Sequence, residues 1–374
     1  MKHSWRCRSH AAHRAAATGL MVLLAANMLG ADWKKAEAGW KYEFPRDHGV
    51  HREFKTEWWY FTGNLFDDEG RRFGYELTFF RHGIRPASER EPNASRFIVD
   101  DLKFAHFAMT DVSGQHFQFE QKMSRGAFGE AGFDDSVRLA WIDNWTLAAN
   151  DDGTFDLAAS GDAGALRLHL TAKKLPIVHG ENGVSLKMAD GSSASHYYSM
   201  PRLETTGEIK VAGRALPIRG ESWFDHEWSS SQLGKGQVGW DWLCVQWEDG
   251  TELMLYRMRL EGGGVDPASS GSWIAADGTT THLRASDFQM EPTSFWKSKK
   301  SGAVYPVSWR LEIAGQELIV SIRPALEGQE LALAELTYWE GAIDVHGKRA
   351  TSEITGRGYL ELTGYASGSK SPGR

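Results

Sequence analysis

Three titratable residues stand in a row at Asp225-His226-Glu227, inside the stretch GESWFDHEWSSSQL, with Trp223 and Trp228 close on either side. Read as an extended strand, the stretch points Trp223, Asp225 and Glu227 to one face and Phe224, His226 and Trp228 to the other, because side chains alternate along a strand. Two carboxylates two residues apart on one face sit roughly 7 Å apart. That spacing suits an acid and a base acting on one substrate, and apolar surroundings would raise the pKa of one of them. A salt bridge to a neighbouring arginine is an alternative use of the same carboxylates. Metal ligation by the triplet is disfavoured, since adjacent side chains on a strand diverge.

Three further stretches bring ring surface and polar groups together. In HREFKTEWWYFTGNL, Trp58 and Trp59 take opposite faces and Tyr60 returns to the face of Trp58. In ASHYYSMPRL, His196 and Tyr198 share one face and Tyr197 takes the other. In VGWDWLCVQWEDG, Trp240, Trp242 and Cys244 alternate onto one face, and Tyr256 and Arg257 follow on the return strand. Such residues either fill a sheet core or line an aromatic cavity, since ligand pockets are mostly apolar with a few placed polar groups. The sequence has no HExxH, no clustered Cys/His spacing and no EF-hand loop, so no metal centre is expected. It also has no GxSxG elbow, phosphate-binding loop or dinucleotide fingerprint, so no organic cofactor is expected. Cys244 reads as an inert buried thiol.

The elements that must carry these residues read as β throughout. The 374 residues include 16 Trp, 18 Phe and 10 Tyr, a ring content that favours pleated, half-buried surfaces. Amphipathic helix periodicity is scarce, and alternating segments separated by turn residues recur. ALRLHLTA puts Leu166, Leu168 and Leu170 on one face, VSWRLEIAGQELIVSIR reads as two strands around Ala-Gly, and RGYLELTGY reads as a last strand. Parallel strands would need long crossover helices, so the fold class is antiparallel all-β. An internal echo divides the chain. EWWYFTGNLFDDEGRRFGYELTFFR and WDWLCVQWEDGTELMLYRMR share paired tryptophans, an acidic turn ending in Gly and a return strand ending in Arg. Asp249-Gly250 is a strong hairpin signal. The expected division is residues 39–215 and 216–366, with GESWFDHEW opening the second half and 367–374 a disordered tail.

Residues 1–38 read as an export signal. Lys2, Arg6, Arg8 and Arg14 precede an uncharged run ending at Ala31, too short for a comfortable membrane span. Cleavage is expected after Ala31 or Ala38, giving a periplasmic or secreted protein. Residues 1–31 carry four basic residues and no acid, and 32–38 are neutral overall, so cleavage at either site takes the formal charge from −7 to −11. That argues against a nucleic-acid partner. Cys7 leaves with it, and Cys244 alone can form no internal disulfide.

Five ordered stretches, DHGVHREFKTEWWYFTGNL, SHYYSMPRL, GESWFDHEWSSSQL, GWDWLCVQWEDGTELMLYRMR and GRGYLELTGY, resemble the exported AttH/CrtC-like family of predicted secreted hydrolases and carotenoid 1,2-hydratases. The resemblance runs from Tyr42 to Tyr365. It implies two lipocalin-like β-barrel domains, and in the hydratase branch a proton donor at the position of Asp225. Trp223 stands where that branch usually has tyrosine, and Glu221 where an arginine is expected.

The expected function is the binding of an extended apolar ligand such as a polyene, terpenoid or lipid, with cofactor-free alkene hydration. Asp225 or Glu227 would give the proton, the indoles of Trp58, Trp223, Trp228 or Trp242 would face the cation, and the other carboxylate or His226 would activate water. The alternatives are a non-catalytic periplasmic carrier serving an ABC-type exporter, as the family context implies, and an ester hydrolase. The sequence sets neither the oligomeric state nor the ligand.

Overall fold

The computed structural model describes residues 33–91, 95, 97–231, 233–333 and 336–366. The expected export signal, apart from its last few residues, and the expected tail lie outside the described residues. Among the described residues no helix is long and apolar enough to cross a membrane.

The chain is all-β, in two antiparallel sheets, one bent into a near-closed barrel and the other into a half-barrel. The central path of the first sheet runs Asp101–Asp111, Arg72–Gly83, Thr56–Asp67, Arg214–Ser229, Ala194–Val211, Gly164–Ala172. The corresponding path of the second runs Ser270–Ile274, Glu252–Leu260, Gln237–Trp247, Ser352–Leu362, Thr337–Arg349, Leu318–Pro324. Each sheet therefore sets its first hairpin beside its last strand, which is the structural form of the echo in the sequence. The Asp249-Gly250 turn closes the second hairpin, and Gly250 takes φ 82°, a left-handed conformation that glycine adopts without strain.

Local chemistry explains the pairing. Leu166, Leu168 and Leu170 are all buried against the first barrel's core, which also holds Trp59, Phe61, Tyr198, Phe224 and Trp228. The half-barrel has its own core around Leu243, Val245, Trp247 and Trp309. A third cluster lies where the two sheets meet and contains Tyr197, Trp223, Trp242, Cys244, Met254, Tyr256 and Tyr359.

One expectation needs correction. GESWFDHEW does not open the second sheet. Arg214–Ser229 hydrogen-bonds to Thr56–Asp67 on one side and Ala194–Val211 on the other, so it completes the first sheet. The change of sheet falls between Ser229 and Gln237, after position 215/216. The reason is register: Trp223 to Ser229 match Thr62 to Thr56 residue for residue, burying both strands' apolar faces at once.

Candidate functional site between the sheets

The alternation read from the sequence holds across Trp223–Trp228. Phe224 and Trp228 join the first barrel's core, while Trp223 joins the cluster between the sheets. In register, one row across the first sheet reads Ser199, Asp225, Tyr60, Thr78 and His106. A facing row on the second sheet reads Tyr256, Trp242, Glu361 and Glu340. The two sheets are tied by Tyr60 Oη donating to Glu340 Oε1 at 2.6 Å and, from the neighbouring row, Trp242 Nε1 donating to Tyr197 Oη at 3.0 Å. Arg202 reaches Glu252 at 2.7 Å near one end, and the His106 ring meets Tyr338 Oη at 2.7 Å near the other.

Asp225 is 3% exposed and has no cationic partner within ion-pair distance among the described residues. Three uncharged donors hold it: Tyr197 Oη at 2.5 Å, Trp223 Nε1 at 2.6 Å and the Ser199 hydroxyl. Ser199 is backed by His179 Nε2 at 2.6 Å, and His179 Nδ1 lies 2.8 Å from Ser272 Oγ on the second sheet. Burial pushes the Asp225 carboxyl up to about 7; the hydrogen bonds from Ser199, Tyr197 and Trp223 oppose this, and the charge of Glu227 adds to it. A carboxyl so placed is poised to give or take a proton near neutral pH.

Glu227 shares the face of Asp225 but is committed elsewhere. Lys187 Nζ lies 2.8 Å from its Oε1, and burial of the ammonium, which would lower its pKa, is outweighed by that carboxylate, so Lys187 keeps its charge. Lys187 also lies 4.1 Å from the ring centroid of Tyr256. The sequence missed a better-placed second carboxyl, Glu361. It is half-buried, accepts from Trp240 Nε1 at 2.9 Å, and is raised to about 7 by burial against that hydrogen bond, with Glu227 and Asp225 adding. Its place in GRGYLELTGY looked like ordinary strand polarity, and nothing in that pattern announces a facing sheet. Trp58, Tyr60, Phe80, Trp240 and Glu361 all keep partial exposure on inward-facing positions, which makes this interior a recess rather than a sealed core.

The expected site residues therefore divide in two. Asp225, Glu227, Trp58, Tyr60, Tyr197, Trp223, Trp240, Trp242 and Tyr256 come together between the sheets. Trp59, His196, Tyr198, His226 and Trp228 do not. They lie inside the first barrel, where His226 Nε2 meets Glu57 Oε1 at 3.0 Å and its Nδ1 meets the Asp47 carbonyl at 3.0 Å. Trp228 stacks on His51 at 3.7 Å, and His196 packs 4.7 Å from Trp40. His226 thus cannot serve a substrate held by Asp225, because the sheet stands between them. Arg257 is also elsewhere: it pairs with Asp241 at 2.8 Å on the half-barrel's inner face, over the Trp309 ring, beside a surface cleft of about 470 Å³ at Gly262–Val265. A second cleft, about 250 Å³, opens at Asn64, Arg202 and Gln246. Neither cleft includes Asp225.

His51, Glu57 and His226 bring three ligand-type atoms within 4.8 Å of one another. Those atoms already serve each other. Glu57 accepts from His51 at 2.8 Å, His226 at 3.0 Å and Arg81 at 3.1 Å, and also from the His51 backbone amide. Such saturation is that of a structural lock.

The carboxyls of the recess make stability depend on pH in a specific direction. Burial raises Glu76 above the usual carboxylate range against its hydrogen bond from Thr78. A raised acid favours the fold below its unfolded pKa, and that contribution is lost as pH rises through the folded pKa. Glu76→Gln is therefore expected to gain on the wild type between pH 5 and pH 9 by more than about 1.4 kcal/mol, the equivalent of one pKa unit. Paired denaturant titrations check it, and a difference that stays flat with pH would refute it.

Comparison with known proteins agrees with the fold. A crystal structure of an AttH protein from Nitrosomonas europaea superposes with a TM-score of 0.80 at 33% identity, covering 89% of this chain and 99% of that one. Kievitone hydratase from Nectria haematococca superposes at 0.68 with 13% identity, covering 89% and 96%. The dehydratase asqC of Emericella nidulans is 22% identical over 233 residues, a match spanning 59% of this chain and 62% of that relative's length. The AttH-like family model matches residues 35–365. With nearly the whole described chain inside that match, the protein belongs to the AttH-like family.

Proposed function

We propose that the protein is a cofactor-free lyase that adds water to, or removes it from, a largely apolar ligand held between the two sheets. The observation that carries this is Asp225, a buried carboxyl near neutral pKa, held by uncharged donors among indole and phenol rings. The relatives named as a hydratase and a dehydratase support the reaction class. In the hydration direction the π pair of an alkene takes the Asp225 proton. The resulting cation lies against the faces of Trp58, Trp223 and Trp242. A water oxygen then bonds to the cationic carbon, and its proton passes to the Glu361 carboxylate. Dehydration runs the same steps backwards. Because Glu227 is held by Lys187 and His226 lies behind the sheet, Glu361 takes the role of base. The N-terminal basic and apolar run supports export to the periplasm or beyond as part of this reading.

The test is isotopic. A panel of isoprenoid alkenes and their tertiary alcohols is incubated with the protein in D2O and analysed by mass spectrometry. One deuteron on carbon per hydration event is expected. Ester cleavage alone, or no label in any substrate, would sink the lyase reading.

A further inference from the structure

Alkene chemistry at Asp225 leaves three buried polar groups beside it unused. Glu76 and Glu340 are each 1% exposed, and among the described residues each leaves Oε2 without a hydrogen-bond partner. Their other oxygens are occupied: Glu76 Oε1 accepts from Thr78 at 2.5 Å and Glu340 Oε1 from Tyr60 at 2.6 Å. Thr62, also 1% exposed, has no oxygen or nitrogen partner for its hydroxyl, only the weak Cys244 thiol beside it. Buried polar atoms in native structures almost always have partners, because an unmet one is costly.

Register places all three around the recess. Thr62 stands directly between Trp223 and Glu76 on the first sheet. Glu340 stands directly opposite Glu361 on the second, with Tyr60 reaching across to it. A cluster of acids alone would mean little. Here the Thr62 hydroxyl, which carries no charge, is left unmet in the same interior.

We propose that Thr62, Glu76 and Glu340 form a polar subsite that binds a hydroxyl or carbonyl oxygen of the ligand, so the ligand is an oxygenated neutral molecule and not a pure hydrocarbon. This rests on the inter-sheet reading above. Burial keeps both glutamates protonated, so each free oxygen offers an O–H to a ligand oxygen. The two described cations nearest these groups are already paired, Arg72 with Asp344 at 2.6 Å and Lys187 with Glu227 at 2.8 Å, which disfavours an anionic ligand.

The test uses three probes with one skeleton, farnesene, farnesol and farnesylamine, titrated at pH 6 against tryptophan fluorescence, since Trp58 and Trp240 border the recess. Farnesol is expected to bind at least about tenfold more tightly than farnesene, the worth of one good hydrogen bond. Glu340→Leu is expected to bring the two within about twofold, and Glu340→Gln, which keeps a donor, to preserve the preference. Thr62→Val guards against loss of fold, because replacing an unmet hydroxyl by a methyl is expected to leave the thermal midpoint level or higher. Equal or tighter binding of farnesene overturns the subsite while leaving the recess intact. Tightest binding of the amine, or a fall in the Thr62→Val midpoint, overturns it too. If none of the three probes binds, the inter-sheet reading fails and takes the subsite with it.

Discussion

Asp225→Asn is expected to lower turnover about 10²- to 10⁴-fold, the range a positioned general acid supplies. The amide keeps the shape of the carboxyl and an acceptor for Trp223 Nε1 or Tyr197 Oη, so the fold should hold. Its thermal midpoint is expected within about 4 °C of the wild type. The pH profile separates chemistry from structure. The wild-type acid must be protonated, and its carboxyl lies at about 7, so the rate should fall above neutrality as that proton is lost. In the variant that limb should vanish along with most of the rate. A variant that keeps its rate removes Asp225 from the chemistry, and one that merely melts early reduces it to a structural role. Neither result would touch the fold, which rests on pairing and burial.

Much of this was legible in the residues. Period-two alternation separated Asp225 from His226 because a strand admits only two faces, and both faces here are buried and therefore in fixed register. The same rule put Trp240, Trp242 and Cys244 on one face, and all three meet in the cluster between the sheets. What alternation cannot say is what each face meets. His196, Tyr198 and Trp228 had the right chemistry on the face that turned out to line the barrel core. Arg257 was placed at the site for its charge, yet it lies one residue from Tyr256 and so on the opposite face. Glu76, Glu340 and Glu361 were passed over because a lone glutamate in a strand ordinarily faces water. Only the stacking of the two sheets on each other, whose strands lie over a hundred positions apart in sequence, covers them. The strand Arg214–Ser229 was read as a beginning for a similar reason: its partners lie far away in sequence at Thr56–Asp67, a pairing that no local signal encodes.

Those distant partners lead to the largest expected loss of stability, at Arg81. Its side chain is fully buried, with Nε 3.1 Å from Glu57, one terminal nitrogen 3.0 Å from Asp101 and the other donating to the carbonyls of His51 and Phe54. Burial by itself would raise Glu57. The hydrogen bonds from His226 and His51 and the Arg81 charge outweigh that and hold it below the usual carboxylate range. Arg81→Leu strips the permanent cation from the buried Glu57, leaving it only His51 at 2.8 Å as a cationic partner, and removes a partner from Asp101, so the loss should be about 3–5 kcal/mol. Asp101 keeps Arg90 at 2.9 Å, which sets the damage chiefly at Glu57. The double variant Arg81→Leu/Glu57→Leu should recover part of the loss, since no charge is then stranded. Denaturant titration of both decides it, and an Arg81→Leu loss under about 1 kcal/mol would mean the network is slack. The consequence reaches the recess through one strand. Glu57 fixes His226, His226 is the neighbour of Asp225, and a backbone that lets one turn moves the other. The lock inside the barrel and the three donors between the sheets, Tyr197, Trp223 and Ser199, thus act on adjacent residues of one strand.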